Sequence, residues 1–286
     1  MSDDRIAVSR IIHTIHMVPD ITAARLAYLD VMGGLIFAEN YFPAEDRDAI
    51  LMYVTDHMVE PMAPRDPART DVAPARFLSR CGPGFHSFEI GVADGPAASA
   101  RFRAGGAAVV ADLGGFFFVK GESTGGVTLE VCALPMPNDP FDRGGWDPAV
   151  GRGHASRIAG LDHIACVTAD LDTALRFFTG LCDGEVLADE TWQLPQPARR
   201  VLLRLGDTRV AFLQPDEPAI GPLGAFLARP QGGIYALVWR VDDADAARRH
   251  FERGCKLRLT SEGCVSVGFA IEPEDVLGAR HEFVSI

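Results

Sequence analysis

"IAGLDHIACVTADLDTALRFFTGLC", residues 158–182, places an apolar run, an acidic residue and an amphipathic stretch in that order. The run Ile158–Val167 has the length and composition of a buried strand. Asp170 then stands where a helix N-cap belongs, and Leu171, Ala174, Leu175 and Phe178 recur at helical spacing. The stretch reads as strand, cap, helix.

Residues 11–33, "IIHTIHMVPDITAARLAYLDVMG", can be laid over it without a gap. Asp20 then falls on Asp170, His13 on His163 and His16 on Cys166. Two weaker copies follow the same plan, "FHSFEIGVADGPAASARFRAGGA" (85–107) and "IYALVWRVDDADAARRHFERGC" (234–255). Each helix is followed by apolar stretches broken by Gly or Asp, such as "AAVVADL", "GFFFVKG" and "VTLEVCAL" after the second. The repeating module is therefore strand, helix and three strands, about 50 residues long.

A strand also settles a question about His13 and His16. On a helix, residues three apart share a face and could hold one ion; on a strand they point to opposite faces. The strand reading separates them. The same alternation puts Thr128, Glu130 and Cys132 of "VTLEVC" on one face, away from the helix, with Leu129 and Val131 on the other.

The connections between modules are rich in Pro, Gly and Asp. The longest, 136–157, is the natural boundary between a domain at 1–135 and one at 158–286. It contains "RGGWDP" (143–148), whose Trp146 reads as linker packing, with a lid as the alternative.

Composition excludes several classes. The 286 residues are 48% hydrophobic and 23% charged, as in a soluble globular protein. A net charge of −12 offers nothing attractive to nucleic acid or an anionic membrane. The sequence shows no membrane-length apolar run and no secretion-signal pattern, and its six cysteines form no CxxC pair. Those features predict reduced thiols and a cytoplasmic protein. No GxxxxGK[ST] loop or GxGxxG turn is present.

Four tandem βαβββ modules, with "LDHIACVTADLDTALRFF" (161–178), "VTLEV" (127–131) and "GARHEFV" (278–284), resemble the vicinal oxygen chelate superfamily. This superfamily includes glyoxalase I, methylmalonyl-CoA epimerase, extradiol dioxygenases and bleomycin resistance proteins. The resemblance covers nearly the whole chain. It implies an α+β fold in which the four modules pair into two glyoxalase-like, cup-shaped mixed-sheet domains. It also implies one divalent ion (Fe, Mn, Ni, Zn or Co), held by residues from the first and last strands of each module.

Carried over by position, the ligands are His13 and Glu60 from the first module and Glu130 from the second. At the second module's first strand the overlay gives Ser87, and a β-bulge would bring in His86 instead; the choice stays open. Ser87, Glu89 and Phe117 are expected to line the substrate side, and Glu60 or Glu130 to act as base. The C-terminal set is His163, Tyr235 (or Ala236) and Glu282 with Ala211, too few donors for a metal. A secondary role is expected there. His16, His57 and His281 are read as structural.

The implied activity is proton transfer next to a carbonyl, as a lyase or isomerase, on a small substrate with neighbouring oxygens. The first alternative is an extradiol dioxygenase using iron(II) on His13, His86 and Glu130. The second is a metal-free protein that binds or sequesters a small molecule. The partners expected are a small-molecule substrate and a second copy of the chain as a homodimer, with neither nucleic acid nor membrane.

Overall fold

The computed structural model describes residues 5–136, 138–142, 144, 147, 149, 153–230 and 233–286; Trp146 lies outside them. The first half contributes strands β1 (Arg10–Met17), β2 (Leu35–Phe42), β3 (Arg47–Val54), β4 (His57–Pro64), β5 (Gly84–Gly91), β6 (Val109–Val110), β7 (Phe116–Val119) and β8 (Thr128–Cys132). The second half contributes β9 (Ile158–Val167), β10 (Glu185–Trp192), β11 (Ala198–Leu205), β12 (Thr208–Pro215), β13 (Gly233–Val241), β14 (Leu259–Thr260), β15 (Phe269–Ile271) and β16 (His281–Ser285).

They form two open, mixed, 8-stranded sheets, ordered β2-β3-β4-β1-β5-β8-β7-β6 and β10-β11-β12-β9-β13-β16-β15-β14. The two orders match position by position, so the fold repeats as the sequence does. In the second, third and fourth modules, the recorded pairings show the first strand parallel to the last and hairpin strands antiparallel. A parallel pair needs a crossover, and the module's helix supplies it.

The four helices that follow the first strands are α1 (Ile21–Leu26), α3 (Gly95–Ala104), α4 (Leu171–Leu175) and α6 (Ala244–Arg249); α2 (Ala73–Cys81) and α5 (Gly221–Leu227) lie in connections. Asp20, Asp94, Asp170 and Asp243 cap the four repeat helices, each carboxylate accepting from a backbone N–H of the first turn. A side-chain cap of this kind is worth about 1 kcal/mol. Three of the helices continue into a π turn, over Ala27–Val31, Arg176–Leu181 and His250–Gly254, while α3 has none.

Grouped by proximity, the chain forms two compact units that do not follow its two halves. One comprises Met1–His13, His86–Leu134 and His163–Tyr235; the other comprises Thr14–Phe85, Pro135–Asp162 and Ala236–Ile286. The first unit is built on aromatic rings. Phe88, Phe102, Phe177, Phe178 and Phe212 are buried, with Phe102 and Phe177 centroids 4.9 Å apart and Phe178 and Phe212 5.1 Å apart. Burying each ring contributes roughly 1.5–3 kcal/mol.

The second unit packs Phe251, Phe269 and Phe283 together, but it also buries polar side chains. Trp239 Nε1 donates to His281 Nδ1 at 3.1 Å. His281 Nε2 lies 3.2 Å from Tyr28 Oη, Tyr28 Oη lies 2.9 Å from His16 Nδ1, and His16 Nε2 lies 2.9 Å from the Leu277 carbonyl. An indole N–H only donates and a carbonyl only accepts, so both tautomers follow from the two ends of the chain. His281 carries its hydrogen on Nε2 and donates to Tyr28; Tyr28 donates to His16, which donates from Nε2 to Leu277. Every polar atom in the row has a partner. Burial holds His16 down to about 4 and His281 well below the usual histidine range, so both rings are neutral. His57, also buried, meets Thr14 Oγ1 at 2.9 Å.

Among the described residues no helix is long and apolar enough to cross a membrane.

Candidate metal centre

β5 and β8 run parallel with Ser87 opposite Thr128 and Glu89 opposite Glu130. Opposed residues in a ladder share a face, so both carboxylates project from the side away from the helix. Phe88, Ile90, Leu129 and Val131 point the other way and are fully buried. His13 reaches the carboxylates from β1: its Nδ1 lies 3.0 Å from Glu89 Oε2 and its Nε2 3.7 Å from Glu130 Oε2. One donor atom from each of the three residues lies within 4.8 Å of the others, and all three are buried. Among the described residues this is the sole group of three or more such side chains with metal-holding geometry.

Glu130 is held from behind. Ser87 Oγ donates to its Oε1 at 2.6 Å, and His86 Nδ1 lies 2.8 Å from Ser87 Oγ. Burial pushes the Glu130 carboxyl up, yet the His13 ring, the Ser87 hydroxyl and the His86 charge together outweigh it and hold the group below its ordinary range. Cys132, two residues along β8, stays a thiol: burial first, then the charge of Glu89, push it up to about 12.

The structure thus brings together His13, Glu89 and Glu130, with Ser87 and His86 behind them. Glu89, expected as a wall residue, stands at ligand distance, because strand pairing sets it opposite Glu130. The gap-free overlay selected Ser87 two residues earlier on the same face, and only the register separates the two.

The other expected residues lie elsewhere. His86 is turned to Ser87 and is not one of the three clustered donors. Glu60 belongs to the other compact unit, where Arg47 Nη1 lies 3.6 Å away, and it does not join the cluster. Phe117 faces the helix: it pairs with Val131 across β7 and β8 and packs on Phe102 of α3, with centroids 6.1 Å apart. Phe118, opposite Glu130, has the parity that was assigned to Phe117.

In the C-terminal set, Glu282 is saturated. Its Oε1 accepts from Val265 N–H and Arg280 Nε at 3.0 Å each, and its Oε2 accepts from Ser266 N–H and hydroxyl. Neither oxygen is left for an ion. Tyr235 packs edge-on against Phe226 at 5.1 Å, and His163 is buried without joining a metal-type group among the described residues.

A comparison with curated proteins finds no match. Residues 162–268 match a family described as the glyoxalase/bleomycin resistance protein/dioxygenase superfamily. Among solved structures, a mutant 4-hydroxymandelate synthase from Streptomyces coelicolor is 18% identical with a TM-score of 0.71, over 97% of this chain and 92% of that one. The 2,3-dioxygenase LapB from Pseudomonas sp. KL28 is 13% identical with a TM-score of 0.60, over 99% and 93% of the respective chains. At such identities the likeness is one of fold. Repeat architecture and whole-chain likeness agree on a fold of two matching eight-stranded mixed sheets, and within it residues 162–268 are similar to the glyoxalase/bleomycin resistance protein/dioxygenase superfamily.

Proposed function

We propose that the protein is a divalent-metal-dependent enzyme of this superfamily that moves a proton on a small substrate bearing neighbouring oxygens. The observation that carries the reading is the convergence of His13, Glu89 and Glu130 within 4.8 Å in a buried place. The donor set fits such an ion. Two carboxylates balance its charge, and imidazole with oxygen suits a hard or borderline metal. Glu89 Oε2 is buried, with His13 Nδ1 at 3.0 Å as its polar neighbour, and a buried carboxylate oxygen of this kind is stabilised by a nearby cation. When bound, the ion would offer positions to two substrate oxygens and stabilise negative charge developing on them.

The protein's own residues divide the remaining work. His13, Glu130 and Glu89 would hold the ion. Ser87 keeps Glu130 in place, and the depressed affinity of Glu130 for a proton suits a ligand rather than a base. Glu89 is therefore the carboxylate assigned to take up the substrate proton. The dioxygenase alternative requires His86 as a second imidazole ligand, and the contact of His86 with Ser87 weighs against it.

Metal analysis of the purified, folded protein should give about one divalent ion per chain, as expected for one three-ligand site. His13→Ala and Glu130→Ala should each remove most of it. A folded sample without metal would overturn the proposal. Exchange of a substrate hydrogen with deuterated water next to a carbonyl, without oxygen uptake, separates proton transfer from ring cleavage.

A further inference from the structure

The polar atoms behind Glu130 can be assigned as strictly as those of the histidine row. Glu130 is ionised and can only accept, so the one hydrogen of Ser87 Oγ is committed to Glu130 Oε1 at 2.6 Å. Ser87 Oγ, fully buried, must then accept from its other neighbour, His86 Nδ1 at 2.8 Å. That places a hydrogen on Nδ1 of His86, a residue that is itself only half-buried. Both hydrogen bonds point inward. Oε1 of Glu130 is thereby occupied, and Oε2, at 3.7 Å from His13 Nε2, is the oxygen turned to the cluster.

We propose that Ser87, backed by His86, is the positioning pair of this site: it makes Glu130 a ligand through a single oxygen and sets the affinity of the site for a divalent ion. The inference rests on the metal reading above. Its physical content is preorganisation. A carboxylate with a free choice of rotamer and of one- or two-oxygen binding must be ordered when the ion arrives, whereas the Ser87 bond orders it beforehand. A charge-assisted bond from a buried hydroxyl is strong enough to do this. His86 in turn fixes the Ser87 hydroxyl, because the serine proton has no second acceptor to choose once His86 fills the other side.

The test titrates metal-free, full-length protein with Mn2+, followed by the EPR signal of the free ion, and with Zn2+ against a chromogenic chelator. Ser87→Ala should weaken binding by about 10–100-fold, the range for partners of metal ligands. His86→Ala should weaken it in the same direction. His86→Asn, whose side-chain amide can offer a hydrogen near the Nδ1 position, should restore it. The metal-free variants should keep the parent's far-ultraviolet circular dichroism and a cooperative unfolding transition, even where the lost Ser87 bond lowers its midpoint, which separates loss of positioning from loss of fold. Wild-type affinity in both alanine variants, or an asparagine variant no better than His86→Ala, would overturn the positioning role. Failure of the parent to take up either ion would instead overturn the metal reading on which it depends.

Discussion

Tyr28→Phe is expected to lower the stability of the protein by roughly 2–5 kcal/mol, although it removes one oxygen atom and no carbon. The hydroxyl stands between two histidines, accepting from His281 Nε2 and donating to His16 Nδ1. Without it, one buried donor and one buried acceptor lose their partners together. Each such orphan costs about 1–3 kcal/mol, because the group gave up water on folding and receives nothing in return. Relaxation offers little relief: Phe85 packs on both rings at 5.4 Å, and Trp239 and Leu277 hold their far sides. Urea unfolding of the two proteins at neutral pH measures the difference. A change below about 0.5 kcal/mol, the size of an ordinary surface substitution, would show that the row is not assembled as described.

Acid should act on the same residues. A histidine whose folded pKa lies below its unfolded value binds its proton more readily when unfolded. Its contribution to stability is therefore complete above the unfolded pKa and declines as pH falls from there toward the folded pKa. For His16 the window runs from 6.5 to about 4, and its full crossing is worth roughly 3 kcal/mol. His281 loses stability in the same direction, over a window that extends lower. Between pH 6.5 and 5 the two act in the same direction, so stability should fall steeply across that interval. Half-exposed His154, lowered by burial and by His250, adds in the same sense. Glu130 works at a different pH: lowered from 4.5, it gives up stability only as pH falls below that value. Urea midpoints at pH 7, 6 and 5 test the sign directly. Equal stability at pH 7 and pH 5 would exclude neutral buried histidines.

Much of this was legible in the chain. Four aspartates at matching places mark four caps because a cap is a local interaction, visible within three residues. His13 and His16 separate by parity for the same reason. What escaped depended on neighbours distant in sequence. Three successive phenylalanines, Phe116–Phe118, carry no alternation, so the facing of Phe117 had to wait for its pairing with Val131. Glu89 and Ser87 share a face, and only the alignment of β5 on β8 tells which stands opposite Glu130. Glu282 keeps a glutamate at the ligand place, while the amides that occupy it belong to residues 265–266, a stretch without periodicity. Backbone donors leave no trace in composition.

The way the chain is shared between its compact units bears on whether its halves can live apart. Each unit takes segments from both sides of residues 136–157. A gene divided there would encode two fragments, neither of which holds a whole hydrophobic interior. Each sheet could be hydrogen-bonded within its own fragment, yet the burial that sustains it would be missing. Complementation is the natural assay: fragments 1–147 and 158–286 should be insoluble when made singly and recoverable as a pair when made together. Soluble, folded single fragments would show instead that each half holds an interior of its own.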